Sequence, residues 1–146
     1  MKKISRSALL PYSAEQVYGL VNDVESYPEF LPWCGGAEIL EQGESFMVAS
    51  VTIAKAGVRQ TFVTRNHLVP NQRIEMQLVE GPFQSLLGEW EFKALDTDAC
   101  KVLLDISFEM KSGLLSVAIG AMFEQIASTL VDSFCQRAKQ VYGDAL

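Results

Sequence analysis

Between Ala37 and Met110 apolar and polar residues alternate with a period of two, and from Leu114 to Tyr142 the apolar period lengthens to three and four. The change marks a sheet followed by a single long helix. Within the first region, Glu38–Glu41, Ser45–Ala56, Val58–Val69, Arg73–Val79, Ser85–Leu95 and Lys101–Met110 read as strands. The breaks between them are Gln42-Gly43-Glu44, Gly57, Pro70-Asn71, Gly81-Pro82 and Asp96-Thr97-Asp98. Connections this short join antiparallel neighbours. The last strand alternates most cleanly, with Val102, Leu104, Ile106, Phe108 and Met110 on one face. The helix presents Leu115, Ile119, Met122, Ile126, Leu130, Phe134, Ala138 and Val141 as an apolar stripe, and Glu124, Gln125, Ser128, Asp132, Gln136 and Lys139 opposite it. Roughly 29 residues at 1.5 Å each span about 40 Å, enough to cross a whole sheet.

Upstream, Lys3 to Leu10 reads as a first strand stopped by Pro11. Ser13 then caps a short helix whose Val17, Leu20, Val21 and Val24 share one face. The segment "YPEFLPWC", residues 27–34, comes after the expected helix end at Val24–Glu25 and precedes a Gly-Gly pair. Pro28 and Pro32 permit one further helical turn there and stiffen the segment. The order is therefore strand, two short helices, six strands, long helix. This is an α+β arrangement in which a curved antiparallel sheet of about seven strands wraps its apolar face around the C-terminal helix. Its 146 residues fit one domain.

Composition narrows the function classes. Hydrophobic residues make up 49% and charged residues 21%, which excludes disorder. A net charge of -6 gives no overall field for DNA. No apolar run reaches the length of an integral membrane segment, and Ala8-Leu9-Leu10 is too short for a secretory signal. Cys34, Cys100 and Cys135 are odd in number and far apart, which argues against a disulfide framework and fits a reducing cytoplasm. The only histidine, His67, has no nucleophile at a telling spacing, and no phosphate loop or metal cluster appears. No catalytic residue, metal or cofactor is assigned.

Three stretches, "DVESYPEFLPWC", "GPFQSLLGEWEF" and "FEQIASTLVDSFCQRA", occur in this order. They resemble the coenzyme Q-binding protein family, which includes the ribosome association toxins, within the START-like superfamily related to polyketide cyclases. The resemblance runs from Ser5 to Ala138. It implies a helix-grip fold with a hydrophobic cavity between sheet and long helix. For quinone-binding relatives it implies ubiquinone as an apolar ligand, held without catalysis. For toxin relatives it implies association with the large ribosomal subunit and a block of subunit joining. The leading expectation is non-enzymatic binding of a ubiquinone-class molecule in that cavity in support of respiratory quinone function, with the toxin-like activity as the alternative; a cyclase-like enzyme rests on fold analogy alone.

The residues expected to touch an apolar ligand are Tyr27, Phe30, Leu31 and Trp33 of the stiff segment, and Phe62, Phe83, Leu86, Trp90 and Phe108 of the strands. On the helix they are Leu115, Ile119, Met122, Phe123 and Ile126. Two readings of the 27–34 segment stay open, a lid over a ligand mouth and a plug of core aromatics. Gly88, inside a strand, marks either room for a ligand or a close approach. Gly120, with Ser116, Phe123 and Ala127, raises the same question on the helix, where a bend or tight contact is favoured. In "VRQTFVTRNHLV" the face carrying Val58, Gln60, Phe62, Thr64 and Asn66 is expected inward, because Arg59, Arg65 and His67 are better left in water. Polar groups on that inward face imply a wet cavity. Arg59, Arg65, Arg73 and Lys55 form a candidate basic patch for ribosomal RNA.

Overall fold

The computed structural model describes residues 1–143, the side chains of residues 114–116 aside. Seven strands form one antiparallel sheet: β1 (Lys2–Leu10), β2 (Cys34–Gln42), β3 (Phe46–Lys55), β4 (Val58–Val69), β5 (Arg73–Glu80), β6 (Phe83–Asp96) and β7 (Ala99–Met110). Their order is β1-β7-β6-β5-β4-β3-β2, so consecutive strands pair from β2 to β7, while β1 pairs with β7 and lies at the edge opposite β2. Helix α1 (Ala14–Asn22) and a 3-10 helix (Val24–Glu29) fill the β1–β2 connection, and α2 (Leu114–Tyr142) ends the chain. The curved sheet grips α2, as the periodicity requires.

Local chemistry explains the ends. The Ser13 side chain accepts a hydrogen bond from the Gln16 amide at 3.1 Å, and Gln16 Oε1 accepts one from the Ser13 amide at 2.9 Å. This reciprocal box fixes the start of α1. The first helix ends at Asn22, and the chain re-enters a 3-10 helix that contains Pro28. Ala56 and Gly57, both at positive φ (52° and 81°), form the tight β3–β4 turn. Tyr142 donates from its hydroxyl to the Gln16 carbonyl at 3.0 Å, which ties the end of α2 to α1.

One boundary differs substantially from the sequence reading. The strand expected from Glu38 begins earlier, at Cys34 paired with Ile53, so the Gly35-Gly36 pair lies inside β2. A β-carbon at Gly35 would stand 2.7 Å from the Ala54 β-carbon, so the strand passes there only without a side chain. The apolar stripe of α2 also ends early: Ala138 is fully buried, whereas Val141 is 48% exposed.

Two aromatic clusters build the core. Phe62, Phe83, Phe108 and Phe123 meet edge to face, with Phe123 centred 4.8 Å from both Phe83 and Phe108. Phe134 gathers Tyr27, Phe30 and Trp90 at 5.6, 5.3 and 5.4 Å. Such contacts add to the burial of large apolar areas.

Candidate functional site

Between the two clusters lies a mostly apolar cavity of about 90 Å³. Pockets that enclose drug-sized ligands occupy roughly 300–1,000 Å³. The cavity touches Phe62 and Phe123 on one side and Tyr27, Trp33 and Trp90 on the other, with Leu86 and Ile126 also in its wall. These seven are expected site residues that the fold brings together. Phe30, Leu31, Phe83, Phe108, Ile119 and Met122 do not border it. Leu31, Phe83 and Phe108 are almost fully buried as packing, and Ile119 is buried as well. Leu115 lies outside the described residues.

Phe30 is spent on neighbours. Its ring meets Tyr27 and Phe134 edge to face, and the Arg137 guanidinium sits 4.9 Å above it. The 27–34 segment thus divides: Phe30 plugs the end of the grip, while Tyr27 and Trp33 form cavity wall. Its backbone is anchored by the Ala54 amide, which donates to the Trp33 carbonyl at 2.7 Å.

The wall also holds Thr64 and Asn66, both buried. The Thr64 hydroxyl donates to Asn66 Oδ1 at 2.8 Å. The inward face of β4 is therefore the one carrying Phe62, and Arg59, Arg65 and His67 lie exposed on the other side. Val24, Ala49, Val51, Met76, Ile106, Ala127 and Leu130 complete the cavity and were not among the expected site residues. Ala49 and Ala127 are the informative ones, since a short side chain on an inward face leaves a gap opposite it. Of the two glycines in question, Gly88 makes room for Met76, whose methyl would stand 2.5 Å from a β-carbon there. Met76, its cross-strand partner, borders the cavity in turn. Gly120 serves a tight contact with Met110, at 3.0 Å by the same measure.

The expected basic patch does not form. Arg73 is engaged by Glu89 at 3.0 Å and Glu75 at 3.6 Å, and the Arg65 guanidinium lies 4.2 Å above the Phe46 ring. Lys55 stands with the residues of α2, opposite the sheet face that carries Arg59 and Arg65.

Burial raises the Tyr27 phenol above its ordinary 10.0, with Cys34 and Asp23 adding to the effect, and burial also raises the Cys34, Cys100 and Cys135 thiols above 9.0. The Tyr27 hydroxyl donates to the Val21 carbonyl. A raised value means that the folded chain holds these protons more tightly than the unfolded chain. Their stabilisation is complete below the ordinary values and declines as the unfolded chain ionises first. Urea midpoints are expected to hold steady from about pH 7 to 8.5 and fall beyond about 9. In Tyr27→Phe the part of that decline above about pH 10 becomes shallower.

A seven-stranded antiparallel sheet gripping a C-terminal helix over this cavity defines a START-like helix-grip domain. Residues 10–135 match the family described as polyketide cyclase / dehydrase and lipid transport. The ribosome association toxin RatA of Pseudomonas aeruginosa is 54% identical over 140 residues, 96% of this chain and 97% of that protein. The chain belongs to the family of ribosome association toxins and coenzyme Q-binding proteins within the START-like superfamily. The mitochondrial coenzyme Q-binding protein COQ10 homolog B of Xenopus laevis is 28% identical, covering 95% of this chain and 59% of that one. A START superfamily protein of Mycobacterium smegmatis shares the fold with a TM-score of 0.80 at 21% identity, over 95% of this chain and 98% of the other. Among the described residues no helix is long and apolar enough to cross a membrane.

Proposed function

We propose that this chain acts without catalysis by associating with the large ribosomal subunit and preventing subunit joining. The observation that carries this reading is its end-to-end similarity, at 54% identity, to a protein named for ribosome association. The small cavity supports it. A water-insoluble quinone with an isoprenoid tail needs far more than 90 Å³, so a ligand of that class would have to displace core side chains packed at crystal-like density. A surface that binds the ribosome needs no such opening.

The test is sedimentation through a sucrose gradient with purified subunits. The protein is expected to travel with large subunits at low salt and to leave them as salt rises, because phosphate contacts release counterions. It is also expected to reduce the yield of joined ribosomes from separated subunits. Protein that stays at the top of a low-salt gradient sinks the reading.

One feature favours a second reading, an apolar ligand in the cavity. Thr64 and Asn66 place a hydroxyl and an amide in an otherwise apolar wall, the arrangement that orients a ligand carbonyl. A ubiquinone-class molecule has such carbonyls, and its tail would require Trp33 to move outward. Solvent extraction of the purified protein followed by mass spectrometry tests this, and an extract free of lipid, with no binding of added quinone, rejects it.

A further inference from the structure

A surface groove of about 290 Å³ runs between the 27–34 segment and the middle of α2. One wall is Pro32 and Trp33, and Lys55 stands at the end of β3. The opposite wall is a row on one face of α2, Gln125, Thr129 and Ser133, each four residues from the next. Among the described residues no carboxylate lines the groove, although the chain carries 18 acidic residues against 12 basic ones. Arg137, one turn beyond Ser133, already holds Glu29 at 3.5 Å. The groove therefore offers one cation, a half-buried indole, the apolar Ile126 and the Gln125 amide, while the Thr129 and Ser133 hydroxyls donate to helix carbonyls and keep only their acceptor capacity. Trp33 also borders the internal cavity, so its ring is a wall common to both spaces.

We infer that this groove takes a single-stranded RNA nucleotide, its base against Trp33 and its phosphate on Lys55. The inference rests on the ribosome-association reading and names the chemistry of its contact. An indole beside a lysine, with uncharged polar groups along the track, is how proteins hold unpaired nucleotides. A negatively charged chain that binds RNA must do so where its own carboxylates are absent. The sheet's outer face fails that condition, since Glu75 and Glu89 engage Arg73 there. In this groove Lys55 faces no acidic wall.

The test compares Lys55→Glu and Gln125→Glu with Lys93→Glu, an exposed control on β6 carrying the same charge reversal as Lys55→Glu. Binding to purified large subunits is measured across a salt series. Quenching of Trp33 fluorescence by a short single-stranded RNA is read alongside, with the other tryptophan, Trp90, only 2% exposed. Lys55→Glu is expected to weaken subunit binding about tenfold and to reduce the salt slope by about one, with Gln125→Glu weaker in the same direction. The Lys93→Glu control should stay within about twofold of the parent. If the parent binds subunits and both groove variants bind equally well, the groove assignment is wrong and the ribosome reading stands. Weakened binding with an unchanged salt slope and no RNA quenching would give the groove to a ribosomal protein and overturn the RNA assignment. If the parent does not bind subunits, the ribosome reading falls and the groove assignment with it.

Discussion

Replacing Phe83 with alanine should cost about 3–5 kcal/mol of stability, the range for deleting a buried aromatic. Its ring is 1% exposed and contacts Phe62, Phe108 and Phe123 at centroid distances of 5.7, 6.1 and 4.8 Å. These neighbours come from two other strands and from α2, so the void cannot close by moving one element. For a chain of this size the melting temperature should fall by about 10–15 °C. Because Phe83 is buried and does not line the groove between the 27–34 segment and α2, binding to large subunits at a temperature where the variant is folded should be unchanged. A melting shift under about 3 °C would mean that the cluster is not the keystone assigned to it.

Trp90→Ala should be as costly, again about 3–5 kcal/mol, but with a consequence that Phe83→Ala lacks. Trp90 is 2% exposed, stacks at 11° on Phe92 and meets Phe134 edge to face. It also borders the existing cavity, so its removal joins a new apolar space to the old one. Enlarged apolar voids stay dry and accept benzene-sized guests. Benzene should therefore recover part of the lost stability of Trp90→Ala, since a guest that binds only the folded state raises its melting temperature. It should not rescue Phe83→Ala to the same extent. Equal responses from the two variants would contradict the placement of the cavity. Calorimetric melting with and without benzene reads both effects at once.

The periodicity carried most of the architecture. The predicted limits of α2 and of β4 coincide with those observed, because both elements bury one continuous face and end on clear breaks. The inward face of β4 was also legible, since a charged residue is costly to bury and the Thr64 hydroxyl finds an acceptor in Asn66 Oδ1. The start of β2 was not. Glycine weakens a strand, so its expected start is Glu38, and only the nearness of Ala54 in space explains why Gly35 belongs in that strand. The site was half legible for a similar reason. Spacing tells which residues face inward, but Phe83, Phe108 and Leu31 face inward and pack, whereas Trp33 and Trp90 face inward and border space. That difference depends on the lengths of side chains opposite, such as Ala49 and Ala127, which come from other elements. The basic patch failed because sequence shows which residues are cationic, not that carboxylates reach Arg73, that Arg65 lies on the Phe46 ring or that Lys55 stands on the other face.

The pairing of β1 with β7 has a consequence for the order in which the molecule is made. Ser5 bonds Asp105 across 100 residues of chain, and the register runs from Lys2 opposite Phe108 to Leu10 opposite Cys100. During synthesis the first strand therefore has no partner until the last strand has left the ribosome. The growing chain carries an open edge, with Ile4 and Leu10 not yet covered, through most of its translation. Contacts of such long sequence separation also slow the final closure. A stalled chain ending before Ala99 would display that strand to any neighbour able to extend it, so aggregation of nascent fragments should depend on the apolar residues of β1.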